Sequence, residues 1–243
     1  MDNDTGLTVW NGILGAALKI PGVRIDRAAF LRSALAAHVA ADVVEGAVAS
    51  TPVKAGISTA AIKKAAQSSI AWHRVGVSAT SALAGLPGGW WIAGTVPADL
   101  AQYFWHVVVV LQKLAYLHGW PALFQDDKDI DDETKLVLTL FIGVMLGARG
   151  AANGLSKLAA AVGGEVAKRL PRASLTKYAI YQIAKQVARW IGVSLTKKKF
   201  AELVGRAVPI IGAGVAGAIT WVAFGKGSKR LLEHLESLPL AEA

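Results

Sequence analysis

The sequence predicts an all-α protein, a multi-helix bundle of about eight to ten helices with a glycine-rich helical hairpin core. Three observations predict it. Alanine-rich segments carry apolar residues at spacings of three and four, strand signals are almost absent, and Gly and Pro punctuate the helical pattern at intervals. A chain of 243 residues is ample for one large domain with a sizeable core. Residues 1–243 read as one unit in three parts: N-terminal helices (1–75), a Pro-Gly-Gly break with central helices (76–150), and basic C-terminal helices (151–243).

The elements follow in order. Asp26 caps a helix running through Phe30, Leu31, Leu35 and Val39 to about Val48, and TPVKAG (Thr51–Gly56) breaks it. The next begins near Ser58 and continues past Trp72 until GLPGGWW (Gly85–Trp91) interrupts two apolar stretches. Thr95 and Pro97 mark the entry to a long helix through Leu117, which HGWP (His118–Pro121) ends. In DDKDIDDE (Asp126–Glu133) the carboxylates alternate as in a calcium loop. Counting from Asp127, however, Asp132 stands sixth where glycine is required and Leu138 twelfth where a bidentate glutamate belongs. Asp131, Asp132 and Glu133 instead cap and charge a helix continuing through Phe141 and Met145. The last third predicts helices over about Leu155–Leu170, Thr176–Ile191, Thr196–Ala207 and Ile210–Phe224, then a short amphipathic tail to Leu238.

Composition narrows the function classes. Hydrophobic residues make up 53% and charged residues 18%, below the ~25% of ordinary soluble domains. That is the profile of a very apolar helical domain or of a protein that meets lipid. Cysteine is absent, so neither a disulfide framework nor a thiolate metal site arises. The N-terminus, MDNDTGLTVW, lacks the basic and apolar regions of a signal peptide, and the expected location is cytoplasmic.

The net charge of +9 is unevenly placed: residues 149–230 hold fifteen of the 26 basic residues and two of the 17 acidic ones. Such asymmetry points to an anionic partner. SLTK occurs twice, at Ser174–Lys177 and Ser194–Lys197, each time with lysine behind a helix cap. Lys197, Lys198 and Lys199 then fall in the first turn of a helix, where each positive charge costs about 0.3–1 kcal/mol against the macrodipole. An anion held by the free N–H groups would offset that cost; a solvated turn is the plainer reading. Lys177, Lys197, Lys198, Lys199 and Arg206 are the candidate contacts to anionic headgroups.

Two charge-free runs, Gly76–Ala98 and Ala207–Gly225, reach the ~20 residues that cross a bilayer. Both are broken, the first by Pro87, Gly88, Gly89 and Pro97, the second by Pro209. Gly212, Gly214 and Gly217, with Ala213 and Ala218, place small residues four apart, as in close helix packing in lipid or in a soluble core. Trp90 and Trp91 follow the helix-breaking turn, where indoles favour the membrane interface.

One constellation carries candidate chemistry. Asp99, Gln102, His106 and Lys113 stand at i, i+3, i+7 and i+14 with Tyr103 beside them, so Asp99 and His106 are the candidate catalytic pair. Further ligands for a metal would come from His73, His118 or His38. The alternative is a solvated face or a buried polar seam. No phosphate loop with GK[ST] and no GxSxG elbow is present, and no metal or other cofactor is implied. Nucleic-acid binding has charge alone in its favour.

Several stretches together resemble the EcsC family of bacterial proteins: PGVRIDRAAFLRSAL, GLPGGWWIAGTVPADLAQYFWHVVVVLQKLAYLHGW, DDETKLVLTLFIGVMLG and LTKKKFAELVGRAVPIIGAGVAG. The resemblance implies a helical, membrane-associated protein without an established biochemical activity. The family takes its name from an operon that also encodes an ABC transporter, which makes a transporter a candidate partner. Asp99 matches the family's aspartate at that helix start, whereas His106 is not carried over from the family. The expected function is binding of anionic phospholipid at the inner face of the cell membrane, with insertion or self-association through the glycine-rich helices. The alternatives are a hydrolase acting on a lipid or apolar substrate, and a soluble adaptor for an acidic protein or nucleic acid.

Overall fold

The computed structural model describes residues 3–84, 98–124, 130–163, 178–194 and 212–241. Among the described residues there are nine α-helices and no strand, as the sequence predicts. They are α1 (Asn3–Leu18), α2 (Arg27–Leu35), α3 (Ala41–Ala49), α4 (Thr59–Ala84), α5 (Ala98–Leu117), α6 (Asp132–Leu146), α7 (Ala151–Gly163), α8 (Tyr178–Ser194) and α9 (Gly212–Glu236), closed by a 3-10 turn at Pro239–Ala241.

The bundle is built around α5. Its four consecutive valines, Val107 to Val110, are all buried, as expected of a helix apolar on every side. Trp10 of α1 meets Phe104 edge-on at 5.1 Å, Phe30 of α2 lies 6.5 Å from Tyr116, and Tyr103 faces Phe224 of α9 at 6.3 Å. Just past the helix, Trp120 packs on Phe141 of α6 at 4.9 Å. Helix directions follow from these pairings. Trp72 and His73 of α4 lie level with Lys113, and Gly76 lies level with His106, so α4 runs antiparallel to α5. The Leu240 carbonyl abuts Gly119 at the end of α5, so α9 runs parallel to α5 and antiparallel to α4.

Caps bear out several sequence signals. The Asp131 carboxylate accepts from the Thr134 amide at 2.8 Å, and Gly147 ends α6 with φ +75. The Asp26 carboxylate accepts from the Ala29 amide at 2.6 Å, and the Ser58 hydroxyl accepts from the Ala61 amide at 3.3 Å.

Elsewhere the elements differ from the sequence reading. The single helix expected from Asp26 to Val48 is two, α2 and α3, parted at Ala36–Ala40 without Gly or Pro. Tertiary contacts make the break. Doubling back lets Leu31 and Leu35 on one helix and Val44 and Ala47 on the other all reach the core. It also lets Arg27 donate to the carbonyls of Val48 (2.9 Å) and Ser50 (2.8 Å) at the end of α3. Helix α1 arises where the sequence reading placed no element, and α7 starts four residues earlier than expected.

The glycine-rich helix and the expected separate tail form one continuous helix, α9. GKGSKR does not interrupt it because its glycines serve close packing. A Cβ on Gly225 would sit 2.8 Å from the Arg74 guanidinium, and one on Gly227 would sit 3.1 Å from the Met145 carbonyl. The helix expected over Thr196–Ala207 lies outside the described residues. Among those described, no helix is long and apolar enough to cross a membrane.

Candidate functional site

The dipeptide Trp-His occurs twice, at Trp72–His73 on α4 and at Trp105–His106 on α5. The antiparallel pairing of the two helices brings these copies face to face. His73 Nδ1 lies 3.1 Å from His106 Nδ1, and Lys113 Nζ lies 3.1 Å from His73 Nε2. Each ring is flanked edge-on by its own tryptophan, His73 by Trp72 at 4.6 Å and His106 by Trp105 at 4.8 Å. Trp105 is itself anchored, its indole N–H donating to the Pro21 carbonyl at 3.2 Å. Lys113 Nζ lies 5.2 Å from the Trp72 ring centre and 5.8 Å from that of Phe30, within reach of both faces for cation–π attraction. Gly76 makes the approach possible, because a Cβ there would sit 2.8 Å from His106 Cε1.

The hydrogen-bond pattern fixes the protons. An ammonium only donates, so Lys113 gives to His73 Nε2; the His73 proton is then on Nδ1 and is donated to His106 Nδ1, leaving the His106 proton on Nε2. The result is a directed chain, Lys113 to His73 to His106. Both imidazoles are held neutral. Burial, then the charge of Lys113, then His106 push His73 down to about 3; burial and Lys113 push His106 down to about 4. Burial also lowers the pKa of Lys113. Exposure agrees, at 0% for His73 and 5% for His106.

The candidate residues divide clearly. His106 and Lys113 come together with His73. His118, just past the end of α5, bonds the Leu114 carbonyl at 2.8 Å, and His38 is exposed, so neither joins them. Gln102 is exposed, while Tyr103 turns to Phe104 and Phe224, where burial pushes its phenol up to about 12. Asp99 begins α5 about 10 Å along the axis from His106, and its side chain lies outside the described residues. No three His, Cys, Asp or Glu side chains converge on a metal-sized site among the described residues. Lys177, Lys197, Lys198, Lys199, Arg206, Trp90 and Trp91 lie outside the described residues. Gly212, Gly214 and Gly217 fall within the first two turns of α9.

A second feature lies on the outer surface of α4 and α9. Trp72 is 63% and Val75 57% exposed on α4; Trp221 is 38% and Val222 46% exposed on α9. Arg74 joins the two helices, its guanidinium 4.1 Å over the Trp221 ring and its Nε donating to the Trp221 carbonyl at 2.8 Å. Because the helices are antiparallel, the C-terminal half of α4 and the N-terminal half of α9 share one end of the bundle. Along α9, Val222, Lys226, Lys229 and Glu233 are exposed at i, i+4, i+7 and i+11, so the apolar part passes into Lys226 and then the Lys229–Glu233 ion pair at 3.6 Å. Along α4 the exposed face likewise changes from Lys63, Lys64, Gln67 and Ser68 to Ala71, Trp72, Val75 and Ala79.

The Trp-His repeat was the available sequence signal for this pairing, since His73 otherwise stood equal with His118 and His38 as a partner. No family model, no curated protein and no solved structure gives a match to this chain.

Proposed function

We propose that the chain is a peripheral protein of the inner face of the cell membrane that binds anionic phospholipid. Exposed apolar side chains on α4 and α9 carry this reading: Trp72 is 63% and Val75 57% exposed on one helix, Trp221 38% and Val222 46% on the other, and Lys226 is exposed one turn beyond Val222. Exposed indoles with lysines behind them suit an interface where rings enter the headgroup layer and ammonium groups meet phosphate. Each basic residue near such a surface adds about 1 kcal/mol, and the excess of fifteen basic over two acidic residues in 149–230 supports an anionic partner. The resemblance to the EcsC family points the same way and makes a membrane protein such as a transporter a second class of partner. The hydrolase reading has less support, since His106 is 5% exposed and its Nδ1 is engaged by His73.

Flotation with vesicles tests the proposal. At low salt the protein is expected to rise with vesicles containing phosphatidylglycerol, to stay behind with pure phosphatidylcholine, and to be released by high salt. A Lys197/Lys198/Lys199→Ala variant is expected to bind more weakly. Failure of the wild-type protein to float with anionic vesicles at low salt refutes the reading.

A further inference from the structure

The geometry points to the His73–His106 pair as an acid-operated latch that holds α4 against α5 and, when protonated, releases α4 with its exposed Trp72 face into the lipid. The destination of the released helix rests on the membrane reading above; the latch rests on the seam alone.

The seam has no room for a second charge. Lys113 already places an ammonium 3.1 Å from His73, and the two imidazoles lie 3.1 Å apart. As the tautomers stand, one proton is shared between the two Nδ1 atoms. Adding a proton to His106 Nδ1 turns that hydrogen bond into two opposed N–H groups, and a proton on His73 Nε2 opposes the Lys113 donors in the same way. Either event breaks a link between the helices and leaves like charges in a buried space.

The surroundings supply no compensation. On α4, Arg74 is turned to Trp221 of α9, and Lys63 and Lys64 are exposed nearer the start of the helix. From α2, Phe30 faces Lys113, while the Arg27 guanidinium is committed to carbonyls of α3 and Trp120. From α1 comes Trp10 against Phe104, and from α9 comes Phe224 against Tyr103, whose phenol is buried. Lys113 and the rings themselves are the charges that bear on the pair, and no described carboxylate does. The closed setting also favours a latch over a catalytic base: His73 is 0% and His106 5% exposed, each with its own tryptophan edge-on.

The direction follows from linkage. The rings titrate below a free histidine, so the seam is fully closed above the free value near 6.5 and weakens as pH falls from there toward about 4. Each ring changes the closed-to-open ratio by up to about tenfold per pH unit, so the two together shift it by up to about 1,000-fold at about pH 5.

Vesicles of equal parts phosphatidylglycerol and phosphatidylcholine, with tryptophan fluorescence of the lipid-free protein in parallel, test the latch. Near neutral pH the full chain is expected to float and be released by salt. At about pH 5 it is expected to resist the salt wash, and the lipid-free protein to undergo an opening transition. His73→Gln/His106→Gln, folded by circular dichroism at neutral pH, is expected to remain salt-releasable at both. If the double variant does not fold, each single variant is expected to lower the steepness of the lipid-free transition from about two protons toward one. A double variant that becomes salt-resistant like the wild type, or single variants of unchanged steepness, overturn the latch. Absence of flotation near neutral pH sinks the membrane reading while the lipid-free transition still judges the latch.

Discussion

Alanine at Gly192 and alanine at Gly15 are expected to change stability in opposite directions, although both replace a helical glycine at the α1–α8 part of the bundle. A Cβ on Gly192 would run into the Gly6 carbonyl oxygen, with the Gly6 carbonyl carbon at 2.5 Å and its Cα at 3.0 Å. All three obstacles are backbone, so no rotamer change relieves them. From the other side, a Cβ on Gly6 would lie 2.7 Å from the Arg189 carbonyl. The helices must therefore separate by roughly 1 Å, which loosens the burial of apolar residues on both, among them Ile13 and Leu14 of α1 and Ala188 and Ile191 of α8. Overpacking costs about 1–3 kcal/mol, and backbone obstruction belongs at or above the upper end; the better helix propensity of alanine returns about 1. The net expectation for Gly192→Ala is a loss of about 2 kcal/mol, or a midpoint lower by about 4–8 °C. At Gly15 nothing lies within 4 Å of the added carbon, so Gly15→Ala is expected to gain about 0.5–1 kcal/mol. Thermal and urea unfolding followed by far-ultraviolet circular dichroism measure both. A Gly192→Ala protein as stable as the wild type would mean that α1 and α8 do not cross at these glycines.

Local signals carried the central helices. Ser58, the Gly119 turn and Asp131 are punctuation that acts within a few residues, and the start of α4, the end of α5 and the start of α6 fall where those residues announce them. The errors lie where distant contacts decide. Nothing in LAAHVAAD marks a helix break, yet the reward for turning back there comes from Arg27 and the α3 carbonyls twenty residues on. Gly225 and Gly227 look like a stop, but Arg74 and Met145 use their missing side chains. α1 carries little helix-forming composition in NDTGLTVWNG and is held by burial of Trp10, Ile13 and Leu14. The site was half legible for the same reason. Helical spacing put His106 and Lys113 on one stripe of α5, whereas the choice of His73 depends on how α4 slides along α5, a register that no local rule encodes. Gly76 sets that register by admitting the His106 ring, and its meaning appears only once the two helices are paired.

Thr139→Val is expected to cost about 1–3 kcal/mol, because the buried Trp10 indole N–H, which donates to Thr139 Oγ1 at 2.9 Å, loses its acceptor; a denaturation midpoint within error of wild type refutes it. The remaining test concerns the hairpin of α2 and α3. The Arg27 guanidinium donates to Trp120, Val48 and Ser50 carbonyls at 3.1, 2.9 and 2.8 Å, and burial lowers its pKa. Its partners are neutral oxygens, Val48 and Ser50 at the negative end of α3 and Trp120 just past α5, and its geometry as a planar fork matters as much as its charge. Arg27→Ala is expected to lose about 3 kcal/mol, as several part-buried carbonyls lose their donors at once. Arg27→Lys keeps the charge but has one point of attachment where three are needed, and is expected to recover less than half of that loss. Salt separates the two contributions: a dipole attraction exposed to solvent is screened, whereas part-buried hydrogen bonds are not. The deficit of Arg27→Ala should thus be nearly the same at low and high salt. A lysine variant of wild-type stability, or a deficit that vanishes in salt, would show that charge alone holds the hairpin.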